Sequence, residues 1–459
     1  MMILLSFAAQ GFNELRALPE ALRKCCKNRN LPPIETPDNG ADRVHDLRVR
    51  PRYNITRILA AIALGATLVS CDDATPTQPD TREIVLGGAF SLTGNWSTLG
   101  VTSKAAMEIA VDDVNAYLAG QNIHFTADIQ DTKLDPAIAL TKLQEFKAKN
   151  VQVVFGPQSS AEVAALKTYA DANGILVVSQ SSTAGSLAIA NDNIYRFTPS
   201  DTLEGVAIAA YAKDDGITTL IPMWRADAGN QGLKIAAERE FKKLGGTVTA
   251  GLEYATTTTA FATPLATISA QVATAVAQNG ASKVGVYLAA FDEAADIFAA
   301  ASTNNTLSSV KWYGSDGVAL SVALTGNATA AAFAEKVSYP NPIFGLDESA
   351  KEKWQSLAAQ IKTKSGVDPD AFALAIYDAV WVAAEAYLAS PDGADIGVLK
   401  GKFVTAANSY FGATSWTAFD AAGDRKYADF DFWAIRTVGT SKQWVRVGQY
   451  DTKLHILTR

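Results

Sequence analysis

The hydrophobic pattern becomes regular only from about residue 83, where short apolar runs begin to alternate with stretches of helical period. Residues 84–90 and 124–130 read as strands and 103–118 as a helix. Residues 136–149 read as a second helix, opened by Asp135 as cap and Pro136 in its first turn. The stretch 151–187, VQVVFGPQSSAEVAALKTYADANGILVVSQSSTAGSL, then reads as a buried strand (151–155), a Gly-Pro turn, a helix, a second buried strand (175–179) and a turn crowded with hydroxyls. Strands separated by helices predict a parallel sheet with right-handed crossovers.

The alternation restarts with a helix at 204–214, a strand at 219–223, a helix at 231–244 and a strand at 248–252. It continues with a helix at 264–278, strand 283–288, helix 293–302 and strand 310–313, which runs into the loop GSDG at 314–317. Two lobes of like plan suggest a cleft between them. Beyond residue 339 the chain reads as mostly helical, at 349–364, 371–389 and 396–407, and these helices are expected to cover the first sheet. A short strand at 417–419 and alternating strands at 430–436 and 444–448 would return to the second lobe, so the chain crosses several times and forms a hinge.

The 459 residues are 48% hydrophobic and 19% charged, an ordinary globular balance that allows more than one domain. The net charge is -7; without residues 1–70, which hold ten Lys/Arg and six Asp/Glu, 30 basic residues face 41 acidic ones. An acidic chain with no basic run argues against a nucleic-acid partner. Cys25, Cys26 and Cys71 all precede the regular part, which therefore has no thiol for a disulfide or a metal. His45, His124 and His455 are far apart and sit in no zinc or hydrolase motif, so neither a cofactor nor a metal is expected.

Before the globular part, residues 48–57 are basic and 58–69 apolar, and Ser70-Cys71 follows at once. That order reads as a signal peptide at 48–70, too short to span a bilayer stably. Leu68-Val69-Ser70-Cys71 resembles a bacterial lipobox, which would make Cys71 the acylated first residue and a lipid the only membrane contact. A buried helix ending at a chance cysteine is the weaker alternative. Residues 1–47 read as an extension from a start assigned too early, with Val44 or Val49 as the true start, and residues 71–82 as a polar tether.

Candidate chemistry lies in the two turns of the 151–187 stretch. Both follow the carboxyl ends of apolar strands, the edge at which open parallel sheets bind ligands. Ser159 and Ser160 stand in the first, Ser181, Ser182, Thr183 and Ser186 in the second. Helix amino termini there would add unpaired N–H groups, so the pocket should suit a small acid. The same hydroxyls also read as helix caps, and Asp316 as an ordinary turn aspartate. Trp96 and Trp224 read equally as packing residues, and Tyr377-Asp378 as structural.

The strings SLTGNWSTLG, FGPQSS with ILVVSQSSTAGSL one helix later, YRFTPSD, YGSDG, AIYDAVWVAAEA and FDAAGDRKYADFDFWAI occur in that order over 83–448. Together they resemble the type I periplasmic solute-binding proteins of the branched-chain amino acid transporter class. The resemblance implies an α/β fold of two Rossmann-like lobes with parallel central sheets, joined by a three-crossing hinge. On that plan 83–202 and 340–420 form the first lobe, and 203–339 and 421–459 the second. It further implies that Ser160, Ser181 and Thr183 hold a ligand carboxylate, while Asp316 and Asp201 receive its ammonium. Where the family has tyrosines this chain has Asp227 to Gly232 and Ala290-Phe291, so Trp96, Leu99, Trp224 and Phe291 are expected to line the rest of the site and to favour an apolar group.

The function so implied is capture of an amino acid, branched-chain or otherwise apolar, or a similar small acid, outside the cytoplasm and delivery to an ABC permease. A sensing lipoprotein on the same fold, without a transporter, is the alternative. A hydrolase built on Ser159 or Ser160 lacks a GxSxG motif and a nearby histidine.

Overall fold

A computed structural model describes residues 81–459. The expected extension, signal peptide, Cys71 and nearly all of the tether lie outside the described residues. The first sheet is assembled from β1 (Arg82–Phe90), α1 (Ser97–Tyr117), β2 (Ile123–Asp131), α2 (Pro136–Ala148), β3 (Val153–Phe155), α3 (Ser160–Asn173), β4 (Leu176–Ser179) and β5 (Ile194–Arg196). Its five strands run parallel in the order β2-β1-β3-β4-β5. β3 and β4 are buried on both faces, which is why they read as unbroken apolar runs.

The second lobe repeats the plan with α4 (Asp201–Asp214), β6 (Thr219–Arg225), α5 (Ala228–Lys243), β7 (Thr247–Val248), β8 (Leu252–Tyr254), α6 (Ala262–Asn279), β9 (Val284–Ala289), α7 (Ala294–Ala301) and β10 (Lys311–Tyr313). These strands are parallel in the order β10-β9-β6-β7, with β8 also on β6. The single strand expected at 248–252 is thus two. Gly251, at φ +65°, separates them, and a Cβ there would lie 2.0 Å from the Pro222 carbonyl oxygen.

The last third departs furthest from expectation. After α8 (Val322–Gly326) and α9 (Ala328–Lys336) comes β11 (Asn341–Phe344), in a region expected to be helical. Helices α10 (Lys351–Ser365), α11 (Ala371–Leu388) and α12 (Ile396–Ser409) follow, then the short hairpin β12 (Phe411–Gly412) and β13 (Ser415–Trp416). The chain ends in β14 (Phe430–Val438), β15 (Ser441–Asp451) and β16 (Ile456–Thr458), and β11-β14-β15-β16 form an antiparallel sheet. β11 is only four residues long and carries a proline. Pairing with β14 makes it a strand, a partner that no local pattern reveals. The strand expected at 417–419 is not regular: Phe419 makes a single bridge to Arg425.

α10 and α11 pack on α1, so the chain does return to cover the first sheet. α11 has hardly any polar face because Phe372, Leu374, Ile376, Val380, Val382 and Tyr387 are all buried there. Its one acidic core residue, Asp378, accepts hydrogen bonds from the Ala413 N–H (2.7 Å) and the Thr414 N–H (2.8 Å) and hydroxyl. Asp378 therefore fixes the hairpin to the helix, the structural role read from the sequence.

At the other edge the segment 420–425 extends the first sheet beyond β5, through Arg196 N–H to Gly423 O and Arg425 N–H to Arg196 O, each 2.9 Å. Arg196, 1% exposed, meets both oxygens of Asp424 at 2.5 Å. Its remaining nitrogen donates to the carbonyls of Ser182 (3.1 Å) and Ala184 (2.7 Å), so the pair anchors the hydroxyl-rich turn as well. Replacing Arg196 by methionine leaves Asp424 buried and unpaired, and chemical denaturation should show a loss of about 3–5 kcal/mol. The double replacement Arg196→Met, Asp424→Leu should recover most of it.

Candidate functional site

The site begins with a glycine. Gly156 ends β3 at φ +83°, and a Cβ on it would stand 2.1 Å from the Ala89 carbonyl oxygen. Only glycine lets the chain turn over the end of β1 at this point. Gln158 then ties the turn to its neighbour, accepting from the Ser91 N–H (3.1 Å) and donating to the Trp96 carbonyl (2.8 Å). Ser159 caps α3 in a reciprocal box with Glu162. Ser160, the first residue of the helix, is left pointing at the next turn, 3.0 Å from the Ser182 hydroxyl and accepting from the Ala184 N–H at 3.2 Å. The Ser181 hydroxyl donates to Gln158 O at 2.8 Å, and Thr183 O accepts from the Asp201 N–H at 2.8 Å. Ser160, Ser181 and Thr183 are thus gathered and buried, with Ser160 and Ser181 already bonded inside their own lobe. Neither Ser159 nor Ser160 meets a lysine; they bond to Glu162 and Ser182.

The second lobe presents acids to this rim. Asp201 opens α4, and Asp316 stands in the turn after β10. A third, Glu204, was not anticipated: it lies one turn after Asp201 on the same face of α4 and accepts from the Asp316 N–H at 3.2 Å. All three are 4% exposed or less. Both carboxylate oxygens of Asp201 and one of Asp316 have no hydrogen-bond partner, and neither has the hydroxyl of Tyr287 on β9. Among the described residues no lysine or arginine bonds to the three acids. A small residue permits the crowding: on α5, a Cβ at Gly232 would fall 2.2 Å from Asp201 Oδ2.

Burial dominates the ionisation of the group. It pushes the Asp201 carboxyl up to about 7, against the pull of Thr183 and Arg196. Glu204 is raised well above the usual carboxylate range, first by burial and then by the charges of Asp316 and Asp201. Asp316 is raised by burial and then by the charge of Asp201, and its backbone N–H bonds to Glu204. Asp227 from the start of α5, Asp370 from the start of α11, Arg196 from β5 and the Tyr287 phenol on β9 are the other titratable or charged groups that act on these three. Asp370, itself buried and pushed up to about 7, is a further acid that the sequence reading passed over.

The lobes touch through aromatic rings. Trp96 of the first lobe stacks on Phe291 of the second at 4.4 Å and 19°, and Phe372 of α11 meets Trp96 edge-on at 6.3 Å. Leu99 is buried in the same core. Burial raises the Asp292 carboxyl, against the Ser321 hydroxyl, which donates to it at 2.5 Å, and the backbone N–H groups of Trp96 and Thr98 at the amino end of α1. A Cβ on Gly229, in the first turn of α5, would be 3.5 Å from the Ser160 hydroxyl, so the amino ends of α3 and α5 face each other. Trp224 differs from the other expected wall residues: it is half-buried, with Lys234 over its ring at 4.9 Å, and no contact brings it to the acids. Cavities of about 640 and 630 Å3 lie elsewhere, one between α1, α10 and α11 and one between β11, α10 and β15; none of the nine expected ligand residues lines either.

The family model described as the receptor family ligand binding region matches residues 102–437. The chain belongs to that family. It is 27% identical over 412 residues to the uncharacterized protein MJ1266 of Methanocaldococcus jannaschii, covering 84% of this chain and 95% of that one. Among solved structures it is similar to the branched-chain amino acid transporter substrate-binding protein LivJ of Streptococcus pneumoniae in complex with isoleucine. There the TM-score is 0.63 with 18% identity, over 80% of this chain and 99% of that one. A leucine-binding protein LivK of Thermotoga maritima gives TM-score 0.62 and 18% identity over 79% and 97% of the two chains. A solute-binding protein of R. palustris in complex with benzoate gives 0.65 and 16% over 80% and 96%. The fold is therefore the type I periplasmic binding fold.

Carboxyls raised by burial have a consequence for stability. The folded protein keeps protons that the unfolded chain releases above about pH 4, so stability should fall as pH climbs from there through about 7. Asp201→Asn removes one such charge. Melts of the ligand-free variant should show a flatter pH dependence and, at pH 8, a gain on the order of 1–3 kcal/mol over the parent.

Proposed function

We propose that this protein is an extracytoplasmic solute-binding protein that captures an amino acid or a similar small acid between its lobes and delivers it to an ABC permease. The observation that carries the reading is the set of buried acid oxygens without partners at Asp201 and Asp316, with the Asp201 N–H bonded to the Thr183 carbonyl of the hydroxyl-rich turn. An ammonium would satisfy the acids, and the neutral donors and helix amino ends opposite suit a carboxylate. The apolar stem of such a ligand would lie against Trp96, Leu99 and Phe291. The matches to LivJ, LivK and the benzoate-bound protein support a small organic ligand of this kind.

Function on this reading is binding and closure with no chemical step. A ligand that touches both lobes favours the closed form by its differential affinity, as contacts such as Trp96 on Phe291 are made only when the lobes meet. Thermal-shift screening against amino acids and small organic acids should find at least one that stabilises the protein. Asp316→Ala should abolish that shift, as charge-assisted bonds contribute about 1.5–3 kcal/mol each. A protein that no amino acid or small organic acid stabilises would not be a solute-binding protein of this class.

We further propose that the protein is held at the membrane by a lipid on Cys71 alone. The lipobox-like Leu68-Val69-Ser70-Cys71 behind an apolar run supports it. Mass spectrometry of the native protein should find Cys71 as the acylated first residue; a mature form that keeps residues 1–47 would overturn both the anchor and the extension.

A further inference from the structure

The acid cluster offers more oxygens than the ammonium of one amino-acid head group can satisfy. Asp201, Glu204 and Asp316 are three carboxyls in one buried space; three of their oxygens have no hydrogen-bond partner, which already takes all three donors of one ammonium, and Glu204 adds a further carboxyl one turn along α4. A buried polar oxygen left without a partner is costly to the fold. The protein's own cations nearby are committed elsewhere: Arg196 to Asp424, Arg225 to Asp227 and Glu293, and Lys234 to Glu238.

Tyr287 is an independent sign of a second polar group. Its side chain is 1% exposed, its hydroxyl has no partner, and it lies where all three carboxyls act on it. A phenol oxygen accepts a hydrogen bond, and an ammonium brings three donors. A metal ion fits less well, as no group of three or more His, Cys, Asp or Glu among the described residues has metal-holding geometry. The stacked Trp96 and Phe291 offer the apolar, π-rich surface along which an alkylamine chain packs.

We propose that the interlobe site selects a ligand with two amino groups, a basic amino acid or a short diamine, with Glu204 and Tyr287 receiving the second ammonium. Asp316 and Asp201 receive the first. The proposal deepens the solute-capture reading and rests on it.

The test is calorimetric titration of the full-length protein, unfolded and refolded to strip any co-purified ligand, with lysine, norleucine and 1,5-diaminopentane. Norleucine has lysine's head group and chain without the second ammonium. Lysine should bind about 10- to 100-fold more tightly than norleucine, the worth of one charge-assisted contact. In Glu204→Gln the ratio should shrink to within about threefold, and Tyr287→Phe should narrow it part-way. Diaminopentane binding as tightly as lysine would support the dication and show that the hydroxyl rim reads no carboxylate; binding much weaker than lysine would support the basic amino acid. Norleucine binding as well as lysine, or a ratio unchanged in Glu204→Gln, overturns the second ammonium site and leaves amino-acid capture standing. Should Glu204→Gln fail to fold, the parent ratio and Tyr287→Phe decide. Failure of all three compounds to bind would overturn the capture of amines and amino acids itself.

Discussion

Three carboxyls held out of water, with no lysine or arginine bonded to them among the described residues, set the terms for the rest of this structure. Ionised and unpaired, Asp201, Glu204 and Asp316 would destabilise the second lobe severely, and burial raises all three carboxyls. That is a poor arrangement for stability and a good one for catching a positive charge. The surroundings are built to tolerate it: Gly232 lets Asp201 lie against α5, and the Asp316 backbone bonds to Glu204. The strain is supported from outside the site.

Much of that support comes from the way each lobe fastens the turns of the proposed site. Arg196 holds the turn of Ser182 and Ala184 with one nitrogen while its other two grip Asp424 on the returning chain. Gln158 bridges the turns that follow β1 and β3. Turns so fixed present hydroxyls and helix ends in one arrangement, so on the proposed function little binding energy is needed to order them. The mobile coordinate is left to the lobes themselves. Across the cleft they meet through Trp96 on Phe291 and through Asp292 at the start of α1, contacts that rigid-body opening can break without disturbing either core.

Most of the parallel architecture was legible because each strand-helix unit carries its own pattern: β3 and β4 as apolar runs, α2 with Asp135 and Pro136 at its start, α3 with its capping box. What escaped notice depends on distant partners. β11 is a strand because β14 lies beside it, and the 248–252 segment breaks where Gly251 passes over Pro222. The resemblance of the motifs implied Ser160, Ser181, Thr183, Asp201 and Asp316 as the proposed site, and all five are buried. Glu204 had a signal in its spacing of three from Asp201, which places both on one face of α4, but an exposed helix start uses acids in the same way. Trp224 shows the opposite case, a residue whose type suggested a ligand wall and whose ring packs beside Lys234.

The sequence alone determined the lobes' alternating plan and the residue types at their sheet edges, because periodicity and turn chemistry act over a few residues. It also determined that the regular part of the chain has no cysteine. Only the tertiary structure decided which acids are buried together, which hydroxyls are already bonded and which aromatic rings meet across the cleft. Those facts turn on desolvation and on packing between segments as far apart as Glu204 and Asp316 or Trp96 and Phe291. No local pattern carries that information, since burial of a charge is a property of everything around it.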